Sequence, residues 1–317
     1  MNGLPRRIAS LTAMPVVLAL FCTILIFPPE LIVLISRAPW FEFSLIFTMI
    51  VLERLLAAEK RLPRDSVAFR DVSVTLINIL FTGAIAGAVF YSLLAWLPQS
   101  ILDRDTLFDW QEPVVSAWLQ VPAVLLLFSF GRYWIHRAQH GIPILWRFHS
   151  YHHRLAETRA LNTFVSHPID LALRHTLVFV ILGLLGFSPF AVFAGVALVR
   201  ISSIFSHCGA DVRGGVLSFI LVTPEVHRWH HSAKVPAGHR HAVNFGVGLV
   251  VWDLVFGTFY LPRKAAGVIA PEEIGHPDGI DDEGNVLRYF FVPMGLGGPL
   301  HRLTSAFRRW RGGWSNY

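Results

Sequence analysis

Charge is scarce in this chain. Asp, Glu, Lys and Arg make up 15% of its 317 residues, against 54% hydrophobic residues, whereas a soluble domain is about 25% charged. Such a chain is expected to be an integral membrane protein. Cysteine is nearly absent as well: Cys22 lies in an apolar run and Cys208 beside His207. No disulfide framework is implied, and cytoplasm-facing chemistry is permitted. Several catalytic signatures are missing too. There is no Gly-x-Ser-x-Gly elbow for a serine hydrolase. A zinc protease needs the glutamate of a His-Glu-x-x-His pair as general base, and here Arg137 follows His136. Gly246-x-Gly248 and Gly295-x-Gly297-Gly298 open no strand-helix unit, so neither a dinucleotide fold nor a built-in reductase is expected. The net charge of +6 comes from basic residues beside apolar runs. That is a positive-inside pattern, and no nucleic-acid partner is expected.

What the chain does have is long apolar runs. Arg6 and Arg7 precede an uncharged run at 8–27, long enough to cross a ~30 Å hydrocarbon core. No small-residue cleavage site precedes Pro28-Pro29-Glu30, so the run reads as a retained span. A second span starts near residue 31 or 41 and ends near 52, before the basic residues Arg54, Lys60, Arg61, Arg64 and Arg70. A third covers 72–97, with the close-packing spacing Gly83-x-x-x-Gly87. The acidic loop Asp103, Asp105, Asp109 and Glu112 belongs outside, and a fourth span at 114–130 returns inward to His136. A further apolar stretch before Arg200 is broken at Gly186 and Pro189, and reads as a helical hairpin of 171–186 and 189–206. The expected fold is therefore all-α. It is an integral membrane bundle of about four transmembrane helices plus a hairpin, multi-pass, with its N-terminus and a histidine-rich cap on the cytoplasmic side. The membrane-embedded domain is placed at 1–261, and a polar tail at 262–317 ends in Arg308-Arg309-Trp310-Arg311, a composition suited to the membrane interface.

Histidine is the residue in excess. Eight of the 15 fall into His136-x-x-x-His140, His149-x-x-His152-His153 and His227-x-x-His230-His231. On a helix, positions i, i+3 and i+4 share one face, so each box is expected to aim its imidazoles at one point. Neutral imidazoles suit iron, zinc, copper or nickel, while magnesium and calcium would want carboxylates. One zinc takes about four ligands and cannot employ eight histidines; two metals can.

These boxes resemble those of the fatty acid hydroxylase and sterol desaturase superfamily of membrane di-iron enzymes. The likeness covers roughly 43–261 and includes His167 in Ser-His-Pro-Ile-Asp170 and His207 in Ser-His-Cys-Gly. It extends to the segments His241-Ala-Val-Asn244-Phe245-Gly246 and Trp252-Asp253-Leu-Val-Phe-Gly257-Thr258. The resemblance implies two non-heme irons and dioxygen as co-substrate. It implies a lipid substrate from the bilayer, hydroxylated or desaturated, and a separate ferredoxin-, flavoprotein- or cytochrome b5-like electron donor. Carried over by position, the ligands are His136, His140, His149, His152, His153, His227, His230 and His231, with His207 a ninth. His167 is either a ligand or a helix-terminal histidine. Ser203 stands four residues ahead of His207 where some members carry further histidine, which leaves a tenth ligand open. Asp170 and Asp253 could accept the free N–H of ligating imidazoles, or act as a helix cap and a surface ion pair. His241 is a further candidate for that outer ring. The rival to catalysis is an inactive metal-binding lipid sensor or carrier of the same fold. Which lipid, which regiochemistry and which oligomeric state are not legible in the chain.

Overall fold

Proline marks where helices begin in the computed structural model. It describes residues 39–56, 65–82 and 114–295, apart from 156, 186, 211, 265–266, 269 and 276–285, with isolated positions 17, 19, 31, 88 and 92. Helix α1 spans Pro39–Leu56, and α2 spans Asp65–Ile77 before a π-helical turn at Asn78–Thr82. The long α3, Val114–Gly141, is followed by α4, Pro143–His153. Then come α5, Pro168–Leu184, α6, Pro189–Ser206, and α7, Pro224–His230. Helices α8, Val251–Val255, and α9, Val286–Phe291, are short. Two 3-10 turns lie at Ala160–Phe164 and Gly215–Phe219. Among the described residues, one strand ladder pairs β1, Arg263–Lys264, with β2, Gly267–Val268.

Prolines occupy the first turn of α4, α5, α6 and α7, where a missing N–H costs nothing. The break between α3 and α4 follows from the same residue type. Pro143 pushes Ile142 to an extended conformation, φ −106° and ψ 116°, which ends α3 and turns the chain. That turn brings the histidines of α3 and α4 face to face. The hairpin expected from Gly186 and Pro189 is present as α5 and α6, with Ser188 capping α6 by accepting the Ala191 N–H at 3.2 Å.

Helix α3 runs through the centre of the core, between α5 and α6. Val121, Val124 and Phe128 of α3 are buried against Val178 and Leu182 of α5 and Ala191, Ala194 and Ala197 of α6. Two glycines permit the approach. A Cβ on Gly195 would lie 2.7 Å from Val124 Cγ1, and one on Gly131 would lie 2.9 Å from Val178 Cγ2. Gly195→Leu is therefore expected to destabilise the fold by roughly 1–3 kcal/mol through overpacking. Thermal melting of the detergent-solubilised protein reads the effect; an unchanged midpoint would mean that α3 and α6 approach less closely.

Among the described residues, one helical stretch, Trp118–Gly141, is long and apolar enough to cross a membrane, and Phe190–Ser206 is apolar but shorter. The expected second span corresponds to α1, whose buried Glu42 pairs with Arg200 at 2.6 Å. Apart from positions 17 and 19, the expected span at 8–27 lies outside the described residues, as do the part of the third span holding Gly83 and Gly87 and the acidic loop at 103–112. So does the Arg308-to-Arg311 end of the chain. In the part of the tail that is described, Tyr289 of α9 is fully buried, its ring 4.9 Å from that of Tyr151 on α4.

Candidate metal centre

Nine histidines meet where α3, α4, α6 and α7 converge. His136 and His140 close α3, His149, His152 and His153 form the last two turns of α4, and His207 caps α6. His227 and His230 lie on α7, with His231 at its C-cap. Eight of the nine are buried and His140 is half-buried.

The boxes do not each aim at a single point, as their spacing suggested. The nine divide into a five-histidine group, His136, His140, His149, His153 and His230, and a four-histidine group, His152, His207, His227 and His231. Within each group the ligand nitrogens all lie within 4.8 Å of one another. The division has a helical reason. Residues at i and i+4 stay together, as His149 with His153 and His227 with His231, while the i+3 member turns to the other group. The groups adjoin, with the rings of His153 and His231 stacked 4.4 Å apart.

Hydrogen bonds on the outer nitrogens decide what the inner nitrogens present. His136 Nδ1 donates to Phe245 O at 2.9 Å, and His230 Nδ1 to Val243 O at 2.8 Å. His207 Nδ1 donates to Ser203 O at 2.9 Å, and His152 Nδ1 to Val165 O at 3.3 Å. A carbonyl only accepts, so in each ring Nδ1 carries the hydrogen and Nε2 the lone pair. Yet His207 Nε2 lies 3.0 Å from His152 Nε2, and His230 Nε2 lies 3.1 Å from His153 Nε2. His136 Nε2 and His149 Nε2 are buried with no hydrogen-bond partner among the described residues. Lone pairs facing one another in a dry interior need a proton or a Lewis acid between them. Burial opposes the proton: it pushes the imidazoles of His152, His153, His227 and His231 well below their ordinary pKa, helped by the neighbouring rings. It lowers His230 to about 3 and His207 to about 4. Both groups therefore fit a metal ion, and the donor set, all neutral imidazole, suits a first-row transition metal.

Asp170 is where the sequence places an outer partner. Its Oδ1 accepts His149 Nδ1 at 3.2 Å and the amide of Gln139, and its Oδ2 lies 2.7 Å from Arg174 Nη2. Burial alone would raise this carboxyl, but Arg174 and His149 more than offset it and hold the pKa at about 2. The Asp170 carboxylate thus stays ionised and orients His149.

Three candidates take other roles. His167 caps α5: its Nδ1 accepts the Ile169 N–H at 3.2 Å and its Nε2 donates to Phe290 O at 2.9 Å. Both nitrogens are engaged, so no lone pair remains for a metal, and the ring stands outside both groups. His241 is exposed and belongs to neither group. Asp253 is fully buried, which rules out a surface ion pair, and it accepts backbone N–H groups rather than an imidazole. Ser203, which stands four residues ahead of His207, contributes its carbonyl to His207 Nδ1. Sequence reasoning missed the carbonyls of Val165, Val243 and Phe245, because an acceptor that every residue carries leaves no signature. It also missed Asn78, whose Nδ2 donates at 2.7 Å to Phe164 O and to Ser166 O and so holds the peptide that receives His152.

Residues 121–258, a stretch that contains all nine clustered histidines, match the fatty acid hydroxylase family. The chain is 35% identical over 233 residues to the ornithine lipid hydroxylase OlsE of Rhizobium tropici, covering 71% of this chain and 68% of that protein. It belongs to the fatty acid hydroxylase family. It is also 31% identical over 191 residues to the alkylglycerol monooxygenase of Homo sapiens, covering 56% of this chain and 40% of that protein. To the fatty acid hydroxylase vlmA of Lecanicillium sp it is 28% identical over 163 residues, covering 45% of this chain and 42% of that protein. The chain thus aligns with less than half the length of these last two proteins. No solved structure matches it. Family membership makes the chain an oxidoreductase that modifies lipids, and its histidine groups are the boxes of that family.

Proposed function

We propose that the chain is a di-iron oxygenase of the membrane that hydroxylates a C–H bond of a lipid. The observation that carries this reading is the pairing of two adjoining histidine groups, within each of which imidazole nitrogens approach one another at 3.0–3.1 Å. In this reading His136, His140, His149, His153 and His230 hold one ion, and His152, His207, His227 and His231 hold the other. Five and four imidazoles leave open positions on two six-coordinate ions, which an oxygen-activating site needs and a closed structural zinc site lacks. Bound iron supplies the redox chemistry: one oxygen atom of dioxygen enters the C–H bond and the other leaves as water, balanced by two electrons and two protons. The protein's own share is to keep nine imidazoles neutral, to fix their rings and to exclude water. The electrons come from a separate donor protein, ferredoxin-, flavoprotein- or cytochrome b5-like.

The substrate is expected to be an acyl or alkyl lipid that reaches the site from the bilayer, with an amino-acid lipid such as ornithine lipid the first to test. OlsE, 35% identical to this chain over 233 residues, is named for that substrate. Hydroxylation is preferred to desaturation because the named relatives are hydroxylases and a monooxygenase. The multi-pass arrangement of about four spans, with the histidines at the cytoplasmic end of α3, is part of the same proposal. It rests on the apolar length of Trp118–Gly141 and on the position of His136 and His140 in its last turns. Expression in a host that makes ornithine lipids, followed by mass spectrometry of the lipid extract, tests the reading. A species one oxygen atom heavier, absent with a His230→Ala control, is expected. A lipid profile identical to that of the control, with iron bound, would instead favour the sensor or carrier.

A further inference from the structure

The loop between α7 and α8 meets the five-histidine group with its backbone. Val243 O receives His230 Nδ1 and Phe245 O receives His136 Nδ1, so two carbonyls two residues apart serve ligands from two different boxes. Between them Asn244 adopts φ 57°, the left-handed region that non-glycine residues seldom enter. Its buried side chain accounts for that conformation. Asn244 Nδ2 donates to Val226 O at 2.9 Å and Tyr260 O at 2.8 Å, and its Oδ1 accepts the Tyr260 N–H at 2.7 Å. Asp253 grips the other side. Its Oδ1 accepts Phe245 N at 2.7 Å and Thr258 Oγ1 at 2.7 Å, and its Oδ2 accepts Gly246 N at 2.8 Å. A Cβ at Gly246 would lie 2.5 Å from Asp253 Oδ2, so the grip is close. Tyr133, three residues before His136 on α3, reaches Thr258 Oγ1 at 3.0 Å and joins the clamp to the helix that bears the ligand.

The four-histidine group is served elsewhere. His152 and His207 donate to Val165 and Ser203, and among the described residues none of its four members bonds to 243–246.

We propose that residues 243–246, clamped by Asn244 and Asp253, form a strap whose carbonyls fix the tautomer and ring direction of His136 and His230, presetting one of the two metal positions independently of the other. The inference rests on the two-ion reading above. A neutral imidazole can carry its proton on either nitrogen, and only the Nδ1–H form turns a lone pair at Nε2 toward the ion. Asp253 touches neither imidazole nor ion; it is a positioning residue that acts through the Phe245 and Gly246 peptides. Losing an outer partner of this kind costs about 10–100-fold in metal affinity.

The test is an anaerobic titration of the full-length apoprotein in detergent with Fe(II) alone, counting bound ions per chain at each free concentration. Wild type is expected to bind two. Asp253→Asn turns an amide N–H toward the Gly246 N–H, and is expected to keep one ion at wild-type affinity and weaken the other about 10–100-fold. Asn244→Gly tolerates the positive φ while removing three hydrogen bonds, and is expected to show the same split. The retained ion reports that the variant is folded, which a general loss of stability would not produce. Equal weakening of both ions, loss of both, or no weakening in either variant overturns the strap. A wild type that binds fewer than two ions overturns the two-ion reading, and the strap with it.

Discussion

Replacing His230 by alanine is expected to cut lipid oxygenation by more than about 100-fold, beyond the loss that follows removal of an outer partner. His230 lies at the junction of the five-histidine group. Its Nε2 is 3.1 Å from that of His153, and its ring is 4.3 Å from His136 and 4.8 Å from His140. Truncation removes one donor and leaves the Val243 carbonyl without its partner, at about 1–3 kcal/mol. That cost is small enough for the helices to persist, so far-UV circular dichroism should match wild type while bound iron falls. Two other histidines provide the contrast. His241→Ala is expected to keep both metal and turnover, because the side chain is exposed and outside both groups. His167→Ala should lose the cap of α5, about 1 kcal/mol, and keep its metal. Wild-type turnover in His230→Ala would remove that residue from the ligand set.

The second large effect is expected at Asp170. Its carboxylate, Arg174 and His149 are buried together, with Arg174 also donating to Ser166 Oγ at 2.8 Å. Asp170→Ala would leave a guanidinium in the interior without its counter-charge, and breaking a buried pair in this way costs about 3–5 kcal/mol. It would also free His149 Nδ1, the hydrogen bond that directs His149 Nε2 inward. Stability and metal affinity should therefore fall together. Asp170→Asn separates the two roles. The amide oxygen can still accept from His149, so metal affinity should recover in part while the loss of charge keeps stability low. A melting midpoint and iron affinity both equal to wild type in Asp170→Ala would contradict this account of the site.

Much of this arrangement is legible in the chain because helices translate spacing into direction. The i, i+4 pair His136 and His140 needs nothing more than α3 to converge, and prolines at 143, 168, 189 and 224 announce the helices that follow them. His207 is legible from its neighbours in the motif. Its assignment to the group of His152, rather than to that of His153 one residue on, depends on which way α4 turns its face. The boxes divide between two groups because adjacent helical positions point about 100° apart. That rule was available from the sequence, but the partner faces were not. His167 shows a different limit. Nothing in Ser-His-Pro states which nitrogen holds the hydrogen, and its exclusion from the centre comes from Phe290, more than a hundred residues away. Asp253 lies beside the centre but meets peptide N–H groups, and in sequence a carboxylate of that kind looks like one that meets an imidazole. Glu42 of α1 marks a limit of apolar runs: the sequence shows the charge inside the second of them but not its partner, Arg200 of α6.

The measurement that tests the central claim most directly is the metal content of the chain. Protein purified in mild detergent, without chelators and without a histidine tag, would be analysed by elemental mass spectrometry, with a reconstitution control for iron lost or replaced. Two irons per chain is the predicted result, one for each histidine group. A single zinc, or no metal after reconstitution, would contradict the oxygenase.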